Sequence, residues 1–187
     1  TNNKQIMKFQ KVLSIFKNHK LSLSNSSGIF LSPDYHFQMT RPGISLYGGY
    51  GNLSIKKYIK PVIKLKAQVI QIKKINVGDT IGYNETYKLK NSKYIATVAI
   101  GYADGMPRNL SNNGYVYYKK YKANIIGNIS MDTLVIDINN FYNKIKIGDY
   151  VELINYKYDI ENFAKQSKTV SQDILTSFGK RVKIRYV

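Results

Sequence analysis

The hydrophobic pattern divides the chain into two parts of different character. Apolar residues recur at three- and four-residue spacing over residues 5–17, which predicts an amphipathic helix. Short apolar stretches at 21–24 and 37–46 predict two strands. Helix, strand, short helix and strand in this order indicate an α/β unit with parallel strands, and this part is too short to close a barrel by itself.

From about residue 53 the pattern changes to alternating apolar and polar residues with frequent turn signals. One long strand is predicted over 62–72, and Gly-Asp turns at 78–79 and 148–149 each lie between apolar pairs. Further strands are predicted at 94–101, 115–118, 124–129, 132–138 and 181–186, and short helices near 159–167 and 172–178. Such regular short strands are typical of a β-barrel or β-sandwich, so the predicted domains are residues 1–52 and 53–187.

The composition limits the classes of protein that fit. The 187 residues include no cysteine, which excludes disulfides, thiolate metal sites and a cysteine nucleophile, and no metal site is expected. No segment has the roughly 18 uncharged apolar residues of a membrane span. The N-terminus does not read as a signal peptide, so we expect a cytoplasmic location and no membrane contact.

The net charge of +18 brings nucleic acid into consideration as a partner. Only four of the 29 basic residues are arginine, and the lysines are spread along the chain, often singly on the polar side of predicted strands. Proteins that read a nucleic-acid groove usually concentrate arginine on one element. Nucleic acid is therefore not the favoured partner, and a basic RNA-binding β-barrel stays open as an alternative.

The stretch with the clearest chemistry is residues 95–108. An apolar run ends in the sequence Gly-Tyr-Ala-Asp-Gly, so a strand would deliver the phenol of Tyr102 to the point where the chain reverses. The Asp-Gly pair supplies the positive φ that a tight turn needs. Because tyrosine is a common strand residue, Tyr102 could also have a purely structural role, in which its ring packs over the end of a sheet.

Three further motifs lie around this stretch in a fixed order: Asn25-Ser26-Ser27, Arg41-Pro42-Gly43-Ile44-Ser45-Leu46-Tyr47-Gly48 and Ile126-Gly127-Asn128-Ile129-Ser130-Met131-Asp132. The four motifs together resemble the C-terminal half of alanine racemase, a bacterial pyridoxal-phosphate enzyme, and the resemblance covers essentially the whole chain. It implies a mixed fold, in which a partial (β/α)8 barrel remnant is followed by a mainly-β barrel or sandwich domain. It also implies that the lysine forming the Schiff base with the cofactor lies upstream, so the chain alone is expected to be inactive.

The resemblance implies a cofactor, pyridoxal 5'-phosphate, and residues that hold it. Asn25, Ser26 and the backbone N–H groups of Gly43 and Ile44 would bind the phosphate, where a hydroxyl and amides suit a dianion. Arg41 would face the pyridine nitrogen and discourage its protonation, because a guanidinium keeps its own protons. Taken without the resemblance, Asn25-Ser26 reads as a helix cap and Pro42-Gly43 as an ordinary turn.

The resemblance also implies roles in catalysis and substrate binding. Tyr102 would be one of two proton-transfer groups, because racemisation removes a proton from one face of Cα and returns it on the other. Tyr102 would act in the neighbouring subunit of a head-to-tail homodimer, together with Met131 and Asp132, with the Met131 N–H meeting the carboxylate of alanine. Gln172 stands where the family usually has a phosphate-binding tyrosine, which puts the phosphate affinity in doubt.

Other functions stay open at this point. The chain would also suit a non-catalytic β-domain that dimerises or docks a partner, and a basic RNA-binding barrel would show steep salt dependence. Other pyridoxal-phosphate barrel enzymes, such as amino-acid decarboxylases, fit the Gly-Tyr-Ala-Asp-Gly stretch less well. The favoured prediction is interconversion of L- and D-alanine for cell-wall precursors.

Overall fold

The chain is made of two compact units, Thr1–Val62 and Ile63–Val187. The structure is a computed structural model, and it describes residues 2–13, 15–16 and 18–186. The predicted domain boundary after residue 52 stays a prediction. No helix in the described part of the chain is long and apolar enough to cross a membrane.

The first unit is built from short helices. Helix α1 (Asn2–Leu13) overlaps the predicted helix at 5–17, but it begins three residues earlier and ends four residues earlier. Residues 14 and 17 of the prediction lie outside the described residues. None of its described side chains is fully buried, although Phe9 packs edge-on against Phe37 at 5.0 Å between ring centroids. The remaining helices are α2 (Ser26–Ile29) and three 3-10 turns at Pro33–Tyr35, Ile44–Tyr47 and Leu53–Tyr58.

The prediction of two regular strands in this unit is wrong. Within the described residues they are reduced to one parallel bridge between Asn25 and Arg41. The parallel direction agrees with the prediction, but a ladder does not extend past Arg41 because Pro42 has no N–H to donate. A 3-10 turn follows instead.

The described residues of the second unit form eight strands and two α-helices. The strands are β1 (Leu65–Ile75), β2 (Thr80–Ile81), β3 (Tyr87–Lys88), β4 (Lys93–Val98), β5 (Tyr115–Tyr118), β6 (Tyr121–Asn124), β7 (Leu134–Asp137) and β8 (Tyr150–Ile154). Helices α3 (Ile160–Gln166) and α4 (Ser171–Ser177) lie close to their predicted positions. Six strands form an antiparallel sheet in the order β6-β5-β8-β1-β4-β7, and β2 pairs with β3 separately.

This sheet curls into a nearly closed barrel. Just beyond β6, Ile125 bridges Ile136 of β7, and the Ile126 N–H donates to the Val135 carbonyl at 2.9 Å. The two edge strands of the sheet therefore meet. Buried and partly exposed residues alternate along β5 and β7, as expected for strands with one face towards a core. The predicted mainly-β barrel is confirmed.

Two strand predictions in this unit need correction. The strand expected at 124–129 lies at Tyr121–Asn124, and the chain after it turns at Gly127, whose φ of +74° is left-handed. Residues 181–186 form no strand among the described residues. The side chain of Arg181 instead bonds to carboxylates elsewhere in the unit.

A partly buried hydrogen bond fixes the second Gly-Asp turn. The hydroxyl of Tyr118, a residue only 4% exposed, donates to Asp149 Oδ2 at 2.7 Å, and the same oxygen accepts the Lys146 N–H at 3.0 Å. These two bonds lower the pKa of Asp149, and the contact with Asp149 raises the pKa of Tyr118. Because the folded pKa of Asp149 is depressed, its contribution to stability is present above its ordinary value of 3.8 and is lost as pH falls through the lowered value.

We expect Tyr118→Phe to lower the free energy of unfolding by about 1–3 kcal/mol at pH 7, because a partly buried bond to a charged acceptor is lost. The deficit should shrink as the pH falls below 3.8 and through the lowered pKa of Asp149, where the carboxylate is protonated. Urea unfolding at pH 7 and at a series of lower pH values measures this difference. Tyr150→Phe, which changes an exposed tyrosine, is the control, and equal stability of the two variants at pH 7 would contradict the assignment.

Candidate active site

In the first unit the two predicted cofactor motifs lie side by side. Besides the bridge between Asn25 and Arg41, the Arg41 N–H donates to the Ser24 carbonyl at 2.8 Å. Asn25 also caps α2, because its side-chain oxygen accepts the Gly28 N–H at 3.0 Å. The helix-cap interpretation of Asn25 therefore holds, and the cap places Ser26 at the first helical position, next to the second motif.

Ser26 is the centre of this cluster. It is buried, and its hydroxyl oxygen accepts the Gly43 N–H at 2.8 Å and the Ser45 N–H at 3.4 Å. Both bonds use lone pairs, so the hydroxyl can still donate its proton. Ile44 lies between these two residues and begins a 3-10 turn, where the first N–H groups have no partner within the helix. The sequence motifs thus converge on one hydroxyl with backbone donors around it.

Two features of this cluster point to space for a polar ligand. A Cβ added to Gly43 would meet only the Ser26 oxygen, at 4.0 Å, among the described residues. The Ser45 hydroxyl oxygen is buried and has no hydrogen-bond partner in the part of the chain that the structure describes. Buried polar groups are normally paired, so the buried Ser45 hydroxyl lacks a hydrogen-bond partner that the described residues do not supply.

Arg41 is held by the segment that precedes Asn25. Its Nη1 donates to the Ser22 carbonyl at 3.0 Å and to the Ser22 hydroxyl at 2.6 Å, and its Nη2 donates to the Leu23 carbonyl at 3.3 Å. Three bonds to two residues fix the plane of the guanidinium, although the residue as a whole is exposed. Arg41 is therefore an oriented cation, and it is paired through its backbone with Asn25, the residue before Ser26.

In the second unit Tyr102 begins a 3-10 turn, Tyr102–Asp104, shortly after β4. Gly105 ends the turn at φ +103°, as the Asp-Gly pair predicted. Tyr102 is 41% exposed, and the Arg108 guanidinium carbon lies 5.6 Å from the centre of its ring. The phenol therefore lies at the surface of the unit beside a cation.

The Tyr102 turn lies directly on the loop that contains Met131. The Tyr102 N–H donates to the Ser130 carbonyl and the Ala103 N–H to the Met131 carbonyl, both at 3.0 Å. A Cβ added to Gly101 would lie 2.3 Å from the Met131 carbonyl oxygen, so only glycine permits this approach. Tyr102, Met131 and Asp132, which are separated in sequence, are thus brought together by backbone packing.

Arg181 also belongs to this surface, although none of the sequence motifs indicated it. Its Nε lies 3.0 Å from Asp104 Oδ1, and its Nη2 lies 2.6 Å from Asp132 Oδ1. The hydrogen bond to Asp132, and then the charge of Asp104, raise the pKa of Arg181. The scarcity of arginine among the 29 basic residues is the signal that could have pointed to it.

Tyr83 is a second exposed tyrosine that the sequence motifs did not indicate, and its turn packs against the loop at residues 127–132. Tyr83 is 73% exposed, and its carbonyl accepts a bond from the Asn128 side chain at 2.9 Å. A Cβ on Gly82 would lie 2.7 Å from the Asn128 nitrogen, so this turn also rests on the loop that leads to Met131. The next two residues, Asn84 and Glu85, both have positive φ, a strained arrangement that is common at functional sites.

The repeat of a tripeptide was the available signal for Tyr83. Ile-Gly-Tyr occurs at 81–83 and again at 100–102, and in both copies the glycine packs against the backbone of the 127–132 loop. The structure therefore presents two exposed phenols whose backbones are fixed by one loop. Only the second copy was singled out from the sequence.

The structure does not join Gln172 to either cluster. Gln172 lies in the first turn of α4 with an exposed side chain, and its carbonyl accepts from the Thr176 hydroxyl at 3.0 Å. The preceding Ser171 is 2% exposed, and its hydroxyl has no partner among the described residues. The other end of α4 does reach the Tyr102 turn, because the Ser177 hydroxyl donates to the Gly105 carbonyl at 3.0 Å.

Comparison with known proteins agrees with this geometry. Residues 62–186 match the family model for the C-terminal domain of alanine racemase, and residues 1–51 match the model for its N-terminal domain. The chain belongs to the alanine racemase family. The resemblance inferred from the four motifs is confirmed.

Curated relatives in bacteria align over the whole chain. The biosynthetic alanine racemase of Agrobacterium fabrum is 35% identical and covers 100% of the chain, which matches 51% of that protein. The alanine racemase of Rickettsia bellii is 42% identical over 99% of the chain and 46% of its own length. The chain therefore spans about half the length of the alanine racemases that it matches.

Solved structures of the family show the same fold. The alanine racemase of Bartonella henselae with covalently bound pyridoxal phosphate is 42% identical, with a TM-score of 0.92 over 100% of this chain and 52% of that one. The biosynthetic alanine racemase of Pseudomonas aeruginosa is 31% identical, with a TM-score of 0.89 over 99% of this chain. The predicted fold class, a partial (β/α)8 barrel remnant followed by a mainly-β domain, is confirmed.

We expect Gly101→Ala to lower the free energy of unfolding by about 1–3 kcal/mol, because the added methyl group forces the Tyr102 turn away from Met131. Chemical denaturation of the chain measures the change. Gly179→Ala is the matched control, since a Cβ there meets no described atom within 4 Å. The packing argument fails if both alanine variants are as stable as the parent.

Proposed function

We propose that this chain is the C-terminal region of a pyridoxal-phosphate-dependent alanine racemase, an isomerase that interconverts L- and D-alanine. The observation that carries the proposal is the Ser26 cluster, in which a buried hydroxyl gathers two backbone N–H groups beside an oriented arginine. Membership of the alanine racemase family supports the reaction assigned to it. The full reaction belongs to the complete racemase, meaning this chain joined to the other half of the family's length.

The residues of the first unit fit the phosphate of the cofactor. Ser26 would donate its free hydroxyl proton and Ile44 its backbone N–H, at a point where the missing Cβ of Gly43 leaves room. The Gly43 N–H already donates to the Ser26 oxygen, so it would hold that hydroxyl in place and reach the phosphate only as a shared donor. The Ser45 hydroxyl, buried without a described partner, would gain an acceptor. Asn25 would keep α2 capped beneath them. A hydroxyl and several amides directed at one point suit a dianion.

Arg41 would bind at the opposite end of the cofactor, near its ring nitrogen. The bonds to Ser22 and Leu23 hold the guanidinium plane in place. Because arginine retains its protons at all physiological pH values, it would discourage protonation of that nitrogen. Pyridoxal phosphate supplies an electron sink that stabilises negative charge at Cα of a bound amino acid, and Arg41 would moderate that sink.

The second unit would supply groups for the substrate and for proton transfer. The loop with Met131 and Asp132 is exposed and fixed by the Tyr102 turn, which suits a site for the carboxylate of alanine. Racemisation needs one group to remove a proton from Cα and another to return it on the other face. Tyr102 is the candidate that the sequence indicated. Tyr83 is a second candidate, favoured by its greater exposure and strained turn.

The assembly would be a cytoplasmic homodimer with active sites shared between subunits. In this arrangement the tyrosine and the Met131–Asp132 loop of one subunit would serve the cofactor site of the other. Resemblance to the family assigns the second proton-transfer group to a lysine in the half that this chain does not span. The chain alone should therefore lack racemase activity, and Gln172 should give a weaker phosphate contact than a tyrosine.

We expect the complete racemase to convert L-alanine to D-alanine, and one of the variants Tyr102→Phe and Tyr83→Phe to lose about 10²- to 10⁴-fold in kcat, because positioned proton transfer contributes that much. The other variant should stay within about tenfold of the parent. A coupled assay in both directions, with release of the Cα deuteron, measures the effect.

The outcome assigns the base directly. A large loss confined to Tyr102→Phe supports the residue indicated by sequence, whereas a loss confined to Tyr83→Phe transfers the role to Tyr83. Full activity in both variants would rule out a tyrosine base on this face. Absence of racemisation by the unaltered complete protein would favour a partner-docking or RNA-binding domain.

We expect Ser26→Ala to weaken binding of pyridoxal 5'-phosphate to the complete racemase by about 10- to 100-fold, since a bond to a charged group is lost. Titration of the apoprotein, followed by cofactor absorbance, measures the affinity without an activity assay. Ser92→Ala, which changes an exposed serine between β3 and β4 of the other unit, is the control. Unchanged affinity in Ser26→Ala would contradict the phosphate assignment.

A further inference from the structure

Arg181 connects the two loops that carry the candidate substrate-binding residues. Its Nε lies 3.0 Å from Asp104, inside the Tyr102 turn, and its Nη2 lies 2.6 Å from Asp132, which follows Met131. One planar guanidinium therefore joins two carboxylates on different loops. Neither loop needs Arg181 to touch the other, because backbone hydrogen bonds already join them. The two ion pairs of Arg181 must therefore have an effect beyond holding the loops in contact.

The two carboxylates have different surroundings. The Asp104 side chain is 12% exposed, and its second oxygen accepts the Gly101 N–H at 2.8 Å, so both oxygens have partners. The Asp132 side chain is 59% exposed and lies beside Met131. Without Arg181, Asp104 would be a largely buried charge with one oxygen unpaired, and Asp132 would be an uncompensated anion at the surface.

The charge matters because of what this surface would bind. In the proposed function the carboxylate of alanine meets the Met131 loop, where Asp132 is the exposed acidic residue that follows Met131. Two unpaired carboxylates beside an incoming anion would raise its energy, because like charges repel at short range. Arg181 places a positive charge against both carboxylates and reduces that repulsion.

We propose that Arg181 is a positioning residue for the substrate carboxylate: it offsets the negative charge of Asp104 and Asp132 beside Met131 and ties the two loops together. The inference rests on the proposed function, since it assumes that the substrate carboxylate is bound at this loop. Arginine suits the role better than lysine, because its planar fork can reach two carboxylates at once.

In the complete racemase, Arg181→Gln should raise KM for alanine about 5- to 20-fold while kcat stays within about threefold, which matches the size of coupling between contacting charged groups. Arg181→Lys should give an intermediate KM, since an ammonium group serves one carboxylate well and not both. Arg185→Gln, a substitution of the other arginine in the same terminal segment, is the control and should leave KM unchanged.

A second substitution separates charge from simple structural support. If Arg181 acts by offsetting Asp132, then Arg181→Gln combined with Asp132→Asn should lower KM again, to within about threefold of Asp132→Asn alone. Hydrogen exchange gives a readout that needs no substrate: the Tyr102 and Ala103 amides should exchange faster in Arg181→Gln than in Arg185→Gln, because one tie between the loops is gone.

The results distinguish failure of this inference from failure of the proposed function. If the parent racemises alanine and Arg181→Gln keeps the parental KM, the inference is wrong and the proposed function stands. A raised KM that Asp132→Asn does not reduce also overturns the role of charge. If the parent racemises nothing, the proposed function fails and the inference falls with it.

Discussion

The packing of Gly101 against the Met131 carbonyl is the constraint on which the second unit's candidate site depends. A nearly closed barrel brings the end of β4 next to the start of β7, so the loops at those points must share the same space. They can do so because Gly101 has no side chain and because the Tyr102 and Ala103 N–H groups bond to the opposite loop. Since the loops are fixed by backbone contacts, the side chains of Tyr102, Met131 and Asp132 are left exposed to solvent.

Asp104 makes this backbone packing specific. One carboxylate oxygen caps the Gly101 N–H and so defines the turn that presents Tyr102, while the other accepts from Arg181. Local turn geometry and the long-range tie therefore depend on a single side chain. On the other side of the turn, Gly105 lies against the end of α4, where a Cβ would stand 2.5 Å from the Ser177 carbonyl oxygen. The Tyr102 turn is thus held from two directions within its own unit.

Elements that depend on neighbouring residues could be predicted from the sequence, whereas contacts between distant residues could not. The Asp-Gly turn, β5 and the two C-terminal helices depend on neighbouring residues, and their positions were predicted to within a few residues. The strands of the first unit could not be predicted correctly, because a parallel ladder depends on neighbouring strands more than on local pattern. The contacts of Arg181 lie 49 residues or more away in sequence, so no local pattern contains them. For Tyr83 the support from Asn128 is equally distant in sequence, and the repeated Ile-Gly-Tyr tripeptide was the one local signal.

Arginine occupies geometrically demanding positions in both units of this chain. Lysine supplies most of the 29 basic residues, yet three of the four arginines lie in motifs discussed above. Arg41 makes three bonds to the Ser22–Leu23 segment, Arg108 lies over the Tyr102 ring, and Arg181 bridges two carboxylates. The contacts of Arg41 and Arg181 need a planar group with several fixed donors, which an ammonium group does not offer. The ring contact of Arg108 does not, since lysines also lie over tyrosine rings in this chain. The net charge of +18 therefore says little about partners, whereas the few positions that require a guanidinium mark where geometry is most demanding.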